Sequence, residues 1–180
     1  MEHRGFTYDS TSCLACGACQ VACQTTHGLL PQEFFRRVMI ARSLTGQAMP
    51  YSGGCNHCER PACAAACPTG AMYRDEARGV VLHDDGLCIG CGCCVWSCPY
   101  GAVSLRLTRG VSQKCDSCIE RRESGLEPAC VAACSMKALR WNEGEEPPER
   151  EGWKPLEAPW LPDPKQTGPS TRARFLQGEA

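Results

Sequence analysis

Cys88-Ile89-Gly90-Cys91-Gly92-Cys93-Cys94-Val95-Trp96-Ser97-Cys98-Pro99 is the stretch whose reading decides the fold. Taken on Cys88, Cys91, Cys94 and Cys98, its spacing is C-x-x-C-x-x-C-x-x-x-C-P, that of a ferredoxin-type cluster run. Three thiolates at two-residue gaps wrap a tight loop around three corners of one cubane. The fourth lies past the loop, where the chain leaves as a helical turn, and its sulfur serves a neighbouring cluster. One run therefore serves two clusters, and clusters of this kind come in pairs.

Three more groups share the pattern. Cys13, Cys16, Cys19 and Cys23 repeat the spacing without the proline. Cys55, Cys58, Cys63 and Cys67 form another run, and Cys115, Cys118, Cys130 and Cys134 a fourth. Every run opens with C-x-x-C and closes with C-x-x-x-C; only the middle gap changes. An internal repeat identifies the seventeenth cysteine. Asp9, Cys13, Cys16, Gly17 and Cys19 recur 75 residues on as Asp84, Cys88, Cys91, Gly92 and Cys94, so Cys93 falls opposite Ala18. Cys94 is thereby the ligand and Cys93 the spare. The run ends repeat as well: Cys67-Pro68-Thr69-Gly70-Ala71 echoes Cys98-Pro99-Tyr100-Gly101-Ala102, and Cys134-Ser135-Met136-Lys137-Ala138 is a weaker copy. Duplication of a two-cluster unit is the simplest account.

The rest of the chain fits this reading. Its 180 residues suffice for one or two small domains, and Trp, Tyr and Phe make only 7% of them. A small aromatic-poor chain needs staples or cofactors in place of a large apolar core. Val80-Val81-Leu82 and Val103–Leu107 read as short strands, as do Val38–Ala41 and Ala138–Trp141, while the C-x-x-x-C stretches read as short helices. The expected fold is α+β, ferredoxin-like, with short antiparallel strands and short helices around paired 4Fe–4S clusters. From Glu143 to Ala180 the composition shifts, with seven of the thirteen prolines and the spaced Trp153 and Trp160. That tail reads as an extended arm with tryptophan anchors for a partner, in preference to a disordered extension.

Other classes are set aside on the same residues. Zinc sites do not need a cysteine placed four positions after a third, and an odd cysteine count argues against a disulfide framework. The first thirty residues hold no apolar signal region, and no run of about 18 apolar residues suggests a membrane span. A formal charge of −1 gives no nucleic-acid footprint. No phosphate-binding lysine loop, dinucleotide fingerprint or nucleophile elbow is present, so no catalytic residue is expected and conduction is favoured over catalysis. His57 is read as a neighbour of the cysteines or a surface residue, and His27 and His83 as solvated. Lys114, Lys137 and Arg140 are read as surface charges or as electrostatic tuners of a nearby centre.

The chain resembles the four-cluster iron–sulfur subunits of the molybdopterin oxidoreductases, those of the dimethyl sulfoxide reductase type above all. The resemblance is carried by Gly5-Phe6, Phe35-Arg36-Arg37, Cys55-Asn56-His57-Cys58 with Pro61-Ala62-Cys63, Cys67-Pro68-x-Gly70-Ala71-Met72, Cys88-Ile89-Gly90-Cys91, Cys94–Ala102 and Lys114-Cys115-Asp116-x-Cys118, across about residues 5–141. It implies how the ligands are shared. One cluster takes Cys13, Cys16, Cys19 and Cys134, and its neighbour Cys115, Cys118, Cys130 and Cys23. Another takes Cys55, Cys58, Cys63 and Cys98, and the last Cys88, Cys91, Cys94 and Cys67. Residues 1–50 and 108–142 then form an outer ferredoxin-like unit, 51–107 an inner one, and 143–180 the proline-rich tail. Cys93 stands where the family often has tyrosine, and Ser135 where proline is usual. The complete third run implies four 4Fe–4S cubanes and no three-iron cluster.

The resemblance further implies an electron-transfer subunit, not catalytic alone, relaying electrons between a quinol-linked integral membrane anchor and a molybdopterin catalytic subunit in anaerobic respiration. Its location would be peripheral on the cytoplasmic membrane through those partners. The side stays open: periplasmic by co-export with a twin-arginine partner, or cytoplasmic. The alternatives are a soluble polyferredoxin or relay for a hydrogenase or another redox enzyme, and then a structural zinc module.

Overall fold

The computed structural model describes residues 3–42, 46–144 and 152–175. Its central strand is β1 (His3–Asp9), buried on both faces from Gly5 to Asp9. A strand covered on both sides has no solvent face to alternate against, and β1 accordingly carries Phe6, Thr7, Tyr8 and Asp9 all inside. It pairs antiparallel with β8 (Leu139–Gly144), Phe6 opposite Trp141 and Tyr8 opposite Leu139. On its other edge it pairs in parallel with β10 (Arg172–Arg174), which β9 (Lys154–Pro155) closes from outside. The sheet order is β8-β1-β10-β9.

Among the described residues three hairpins complete the β structure: β2 (Arg36–Arg42) with β3 (Ala48–Gly54), β4 (Met72–Asp75) with β5 (Val80–His83), and β6 (Ser104–Arg106) with β7 (Val111–Gln113). The four segments read as strands from their apolar runs therefore lie in β2, β5, β6 and β8. The expected boundary between 50 and 51 falls inside β3, and that between 107 and 108 in the turn of β6–β7.

The helices are short. Their order is α1 (Ala18–Thr26), α2 (Ala62–Ala65), α3 (Cys93–Ser97), α4 (Ile119–Glu123) and α5 (Ala129–Ala132). Every one but α4 holds a cysteine of a C-x-x-x-C stretch. α1 packs against α5, and α2 against α3. The interior divides in the same way. One buried cluster joins Phe6, Tyr8, Tyr51, Leu139 and Leu156 to Cys55, Cys115 and Cys130; the other joins Met72, Val81 and Val103 to Cys63 and Cys94. Sulfur supplies much of what hydrocarbon would supply in an ordinary core.

The tail is ordered over 152–175 and docks on its own chain. Amides of Glu59 and Arg60 donate to the carbonyls of Gly168 and Thr167 at 2.8 and 2.9 Å, and Ser170 N donates to Asn56 O at 2.9 Å. The tail passes so close to β1 that a Cβ on Gly5 would lie 2.5 Å from Ser170 O, which restricts that position to glycine. Trp160 meets Phe175 edge-on at 5.7 Å, and the Arg174 guanidinium lies 5.6 Å from the centre of the Trp153 ring. The tryptophans expected to anchor a partner thus pack within the tail itself. Pro147 and Pro148 lie outside the described residues. Among the described residues no helix is long and apolar enough to cross a membrane.

Candidate metal centres

All four C-x-x-C loops turn in the same way. The residue before the second cysteine has positive φ in every run: Ala15 at 52°, His57 at 44°, Gly90 at 69° and Ser117 at 63°. A left-handed residue there folds the backbone back over the first sulfur. Ala15 N lies 3.4 Å from Cys13 Sγ, and Ser117 N 3.3 Å from Cys115 Sγ. The closing cysteines receive amides too, Cys67 from Met72 N and Cys98 from Ala102 N, each at 3.4 Å.

The 75-residue repeat extends to hydrogen bonds. Asp9 Oδ1 accepts Thr11 N at 2.9 Å and Asp84 Oδ1 accepts Gly86 N at 2.8 Å, the same side-chain turn leading into each loop. A second repeat, of 67 residues, escaped the sequence reading. Pro61-Ala62-Cys63 opens α2 as Pro128-Ala129-Cys130 opens α5, and each proline carbonyl accepts the first amides of its helix. The signal was present in PAC-x-A-A-C but hidden by the long gap before Cys130.

The four runs are brought together in two pairs. A pocket between the second and third runs is lined by Cys55, Cys58, Cys63 and Cys98, with Pro61, Val81, Val103 and Tyr100 around them. Cys67 and Cys94 pack in one apolar cluster. Cys134 is close enough to bear on the charge of Cys19, and Cys118 and Cys130 on that of Cys23. The two pairs meet where Cys55 bears on Cys115.

The sixteen sulfurs suit an iron–sulfur group. All seventeen cysteines are free thiols. Burial first, and then neighbouring sulfurs, push Cys23 and Cys63 up to about 12 and Cys58 up to about 11. Cys115 is driven well above its ordinary value by the same causes. Thiolates so placed are stable only around a cationic core that they ligate. Buried N–H groups on Asn56, His57 and Gln113 have no partner among the described residues. A sulfide-containing group would offer them acceptors in addition to the cysteine sulfurs. Cys93 is exposed and Cys94 buried.

Two buried cations lie among these loops. Burial opposes the charge of Arg36, but Cys130, Cys115, Cys19 and Cys23 outweigh it and hold the guanidinium protonated more firmly than usual. Lys114 is 5% exposed, and its ammonium donates to the carbonyls of Val81 and of Cys115, the latter at 2.8 Å. Lys114 is thus no surface charge, while Lys137 and Arg140 are exposed.

His57 is fully buried; its Nδ1 accepts Val81 N at 3.1 Å, so the ring proton sits on Nε2. Burial first, then the charges of Lys114 and Arg122, lower its pKa well below the usual value and keep it neutral. His27 and His83, expected in solvent, instead reach the sulfurs. His27 Nε2 is 3.4 Å from Cys118 Sγ and its ring is tilted against Phe35. His83 Nε2 is 3.3 Å from Ser112 Oγ, which lies 3.4 Å from Cys88 Sγ and 3.3 Å from Cys94 Sγ. Their proximity comes from loops that meet through long-range packing, which local sequence does not encode. Burial acts against the Cys88 thiolate, but the hydroxyl and amide of Ser112, the Gly90 amide and His83 together lower that thiol to about 6.

Residues 47–144, spanning the second to fourth runs, match the family model described as the 4Fe-4S dicluster domain. The protein belongs to this family and is an iron–sulfur protein whose cysteine runs carry 4Fe–4S clusters. More particularly, it is 40% identical over 146 residues to the B subunit of the anaerobic dimethyl sulfoxide reductase of Escherichia coli (strain K12), an alignment covering 75% of this sequence and 71% of that one. YnfG of the same organism, described as a probable anaerobic dimethyl sulfoxide reductase subunit, is 37% identical over 177 residues, 92% and 85% of the two sequences. The thiosulfate reductase electron transfer subunit PhsB of Salmonella typhi is 37% identical over 147 residues, 77% and 75%.

Proposed function

We propose that the protein is the electron-relay subunit of a reductase complex of the dimethyl sulfoxide reductase type. In that complex it links a molybdopterin catalytic subunit to a quinol-linked membrane anchor. The ligand sets are those of the two interlocked pairs: Cys13, Cys16, Cys19 with Cys134; Cys115, Cys118, Cys130 with Cys23; Cys55, Cys58, Cys63 with Cys98; and Cys88, Cys91, Cys94 with Cys67. The observation that carries this reading is the order of contact among the runs. The first adjoins the fourth, the fourth adjoins the second through Cys115 and Cys55, and the second adjoins the third.

Exposure follows that order. Cys16 in the first run and Cys91 in the third are the exposed ligands, while Cys55, Cys63, Cys115, Cys118 and Cys130 of the two middle runs are buried. The molecule thus has a shielded middle and two open ends. Bound 4Fe–4S clusters supply reversible one-electron transfer, with potentials set by hydrogen bonds to sulfur, burial and nearby charge. The protein's own residues supply each of those three settings: amides and serine hydroxyls on sulfur, the apolar walls, and Arg36 and Lys114. The relatives' names, one a subunit of a reductase and one an electron transfer subunit, support a place in a larger assembly. The peripheral membrane location belongs to the same reading.

Affinity purification of the tagged protein from native membranes tests it. Recovery with a molybdenum-containing subunit and an integral membrane subunit is expected. Recovery of the cluster-loaded protein by itself, fully soluble, would instead favour a free polyferredoxin.

A further inference from the structure

Arg36, the first residue of β2, is 4% exposed. Its guanidinium lies 4.8 Å from the centre of the Phe6 ring, and Nη1 donates to Ser52 O at 2.9 Å and to Ser52 Oγ at 3.2 Å. Among the described residues no carboxylate pairs with it. A buried cation with neither water nor an anion is strongly unfavourable. The negative charges that act on Arg36 are those of Cys130, Cys115, Cys19 and Cys23, sulfurs of the first and fourth runs.

Ser52 completes the connection. Its Oγ is 3.4 Å from Cys19 Sγ. One lone pair of the hydroxyl takes the Arg36 N–H, and a ligating sulfur carries no proton, so the hydroxyl hydrogen points to sulfur. Beside Cys94, the repeat equivalent of Cys19, stands Ser112 instead, its Oγ 3.3 Å from Cys94 Sγ and 3.3 Å from Nε2 of His83. A permanent cation behind the serine is therefore particular to the outer pair.

We propose that Arg36, directly and through Ser52, is the fixed counter-charge that raises the reduction potential of the outer cluster pair. Reduction adds negative charge beside a cation that cannot leave, in a site where burial limits screening. This rests on the 4Fe–4S reading of the sixteen cysteines. Arg36 is a tuning residue; the ligands remain the cysteines.

The test is an EPR-monitored redox titration of the full-length protein, purified anaerobically in its native complex, with iron measured on every sample. In Arg36→Met the reduction equilibrium constant of the outer pair falls about tenfold or more, which is about 59 mV for a one-electron couple. Arg36→Lys keeps most of the potential, Ser52→Ala loses part of it, and the third-run cluster does not move. If Arg36→Met fails to assemble, the Arg36→Lys and Ser52→Ala titrations decide. An Arg36→Met protein with full iron that titrates like wild type overturns the proposal. So does an Arg36→Lys shift as large as that of Arg36→Met, or an unmoved outer pair in Ser52→Ala. A wild-type protein without iron and labile sulfide would overturn the cluster reading itself, a separate result.

Discussion

Lys137 stands three residues after Cys134 with φ 51°, where Gly70 and Gly101 stand three after Cys67 and Cys98 at 72° and 60°. All three make the same turn, each amide donating to the preceding cysteine carbonyl. A side chain in that conformation costs about 1 kcal/mol that glycine avoids. Lys137→Gly should therefore stabilise the loaded protein by about 1 kcal/mol, since the ion pair it gives up, to Glu127 at 3.9 Å, is exposed and worth little. Slower thermal bleaching of the visible absorbance would record the gain; faster bleaching would contradict it. Of the four left-handed loop residues only Gly90 is a glycine. The turn at Ala15, His57 and Ser117 was therefore invisible in the residue types, because cysteine spacing and not glycine specifies it. The proposed choice of Cys94 over Cys93 rests on register alone. Cys93→Ala should keep all four clusters and Cys94→Ala should lose or convert one, as read by iron content and EPR; the reverse pattern would displace the register.

At the scale of elements, β1 is held from both sides, and Asp9 at its end fastens three things at once. Its carboxylate accepts the Thr11 amide and hydroxyl at 2.9 and 2.6 Å, the Ser12 hydroxyl at 3.1 Å and the Arg174 guanidinium of β10. Burial works against the charged form, but the Arg174 and Thr11 bonds prevail and hold the pKa below its ordinary value. A carboxyl with a depressed folded pKa contributes stability above its unfolded value, about pH 4, and loses it as pH falls through the folded one. Asp9→Asn should thus cost about 2 kcal/mol at pH 7, the scale of hydrogen bonds to a charged group. The gap to wild type should close below about pH 4. Circular-dichroism melts of both proteins across that range measure it, and a gap that persists in acid would reject the assignment. The four cysteine-bearing helices and four of the strands were legible because apolar runs and cysteine spacing are local signals. The docking of the tail was not. β9 and β10 have two and three residues, too few for periodicity, and the partners of β10, Tyr8 and Asp9 of β1, lie more than a hundred positions away. Proline content marked an extended arm, but it says nothing of which surface the arm covers.

For the whole molecule, spacing marks sixteen cysteines as the proposed ligands, and their proposed partition into outer and inner pairs comes from family resemblance. The packing of α1 on α5 and of α2 on α3 brings the first run beside the fourth and the second beside the third, as the proposed partition needs. The burial of Lys114 and Arg36 was beyond the sequence, where a cation beside cysteines looks the same on the surface or inside. Arg36 lies among the sulfurs of the first and fourth runs, and Lys114 bridges Val81 of the inner unit and Cys115 of the fourth run; an apolar core would exclude both cations, and a core of anionic sulfur accommodates them. Counting iron, zinc and acid-labile sulfide in the anaerobically purified protein puts the four cubanes on their sixteen cysteines to the test. About sixteen irons and about sixteen sulfides per molecule are expected, four of each for every cubane. Stoichiometric zinc without sulfide would contradict it.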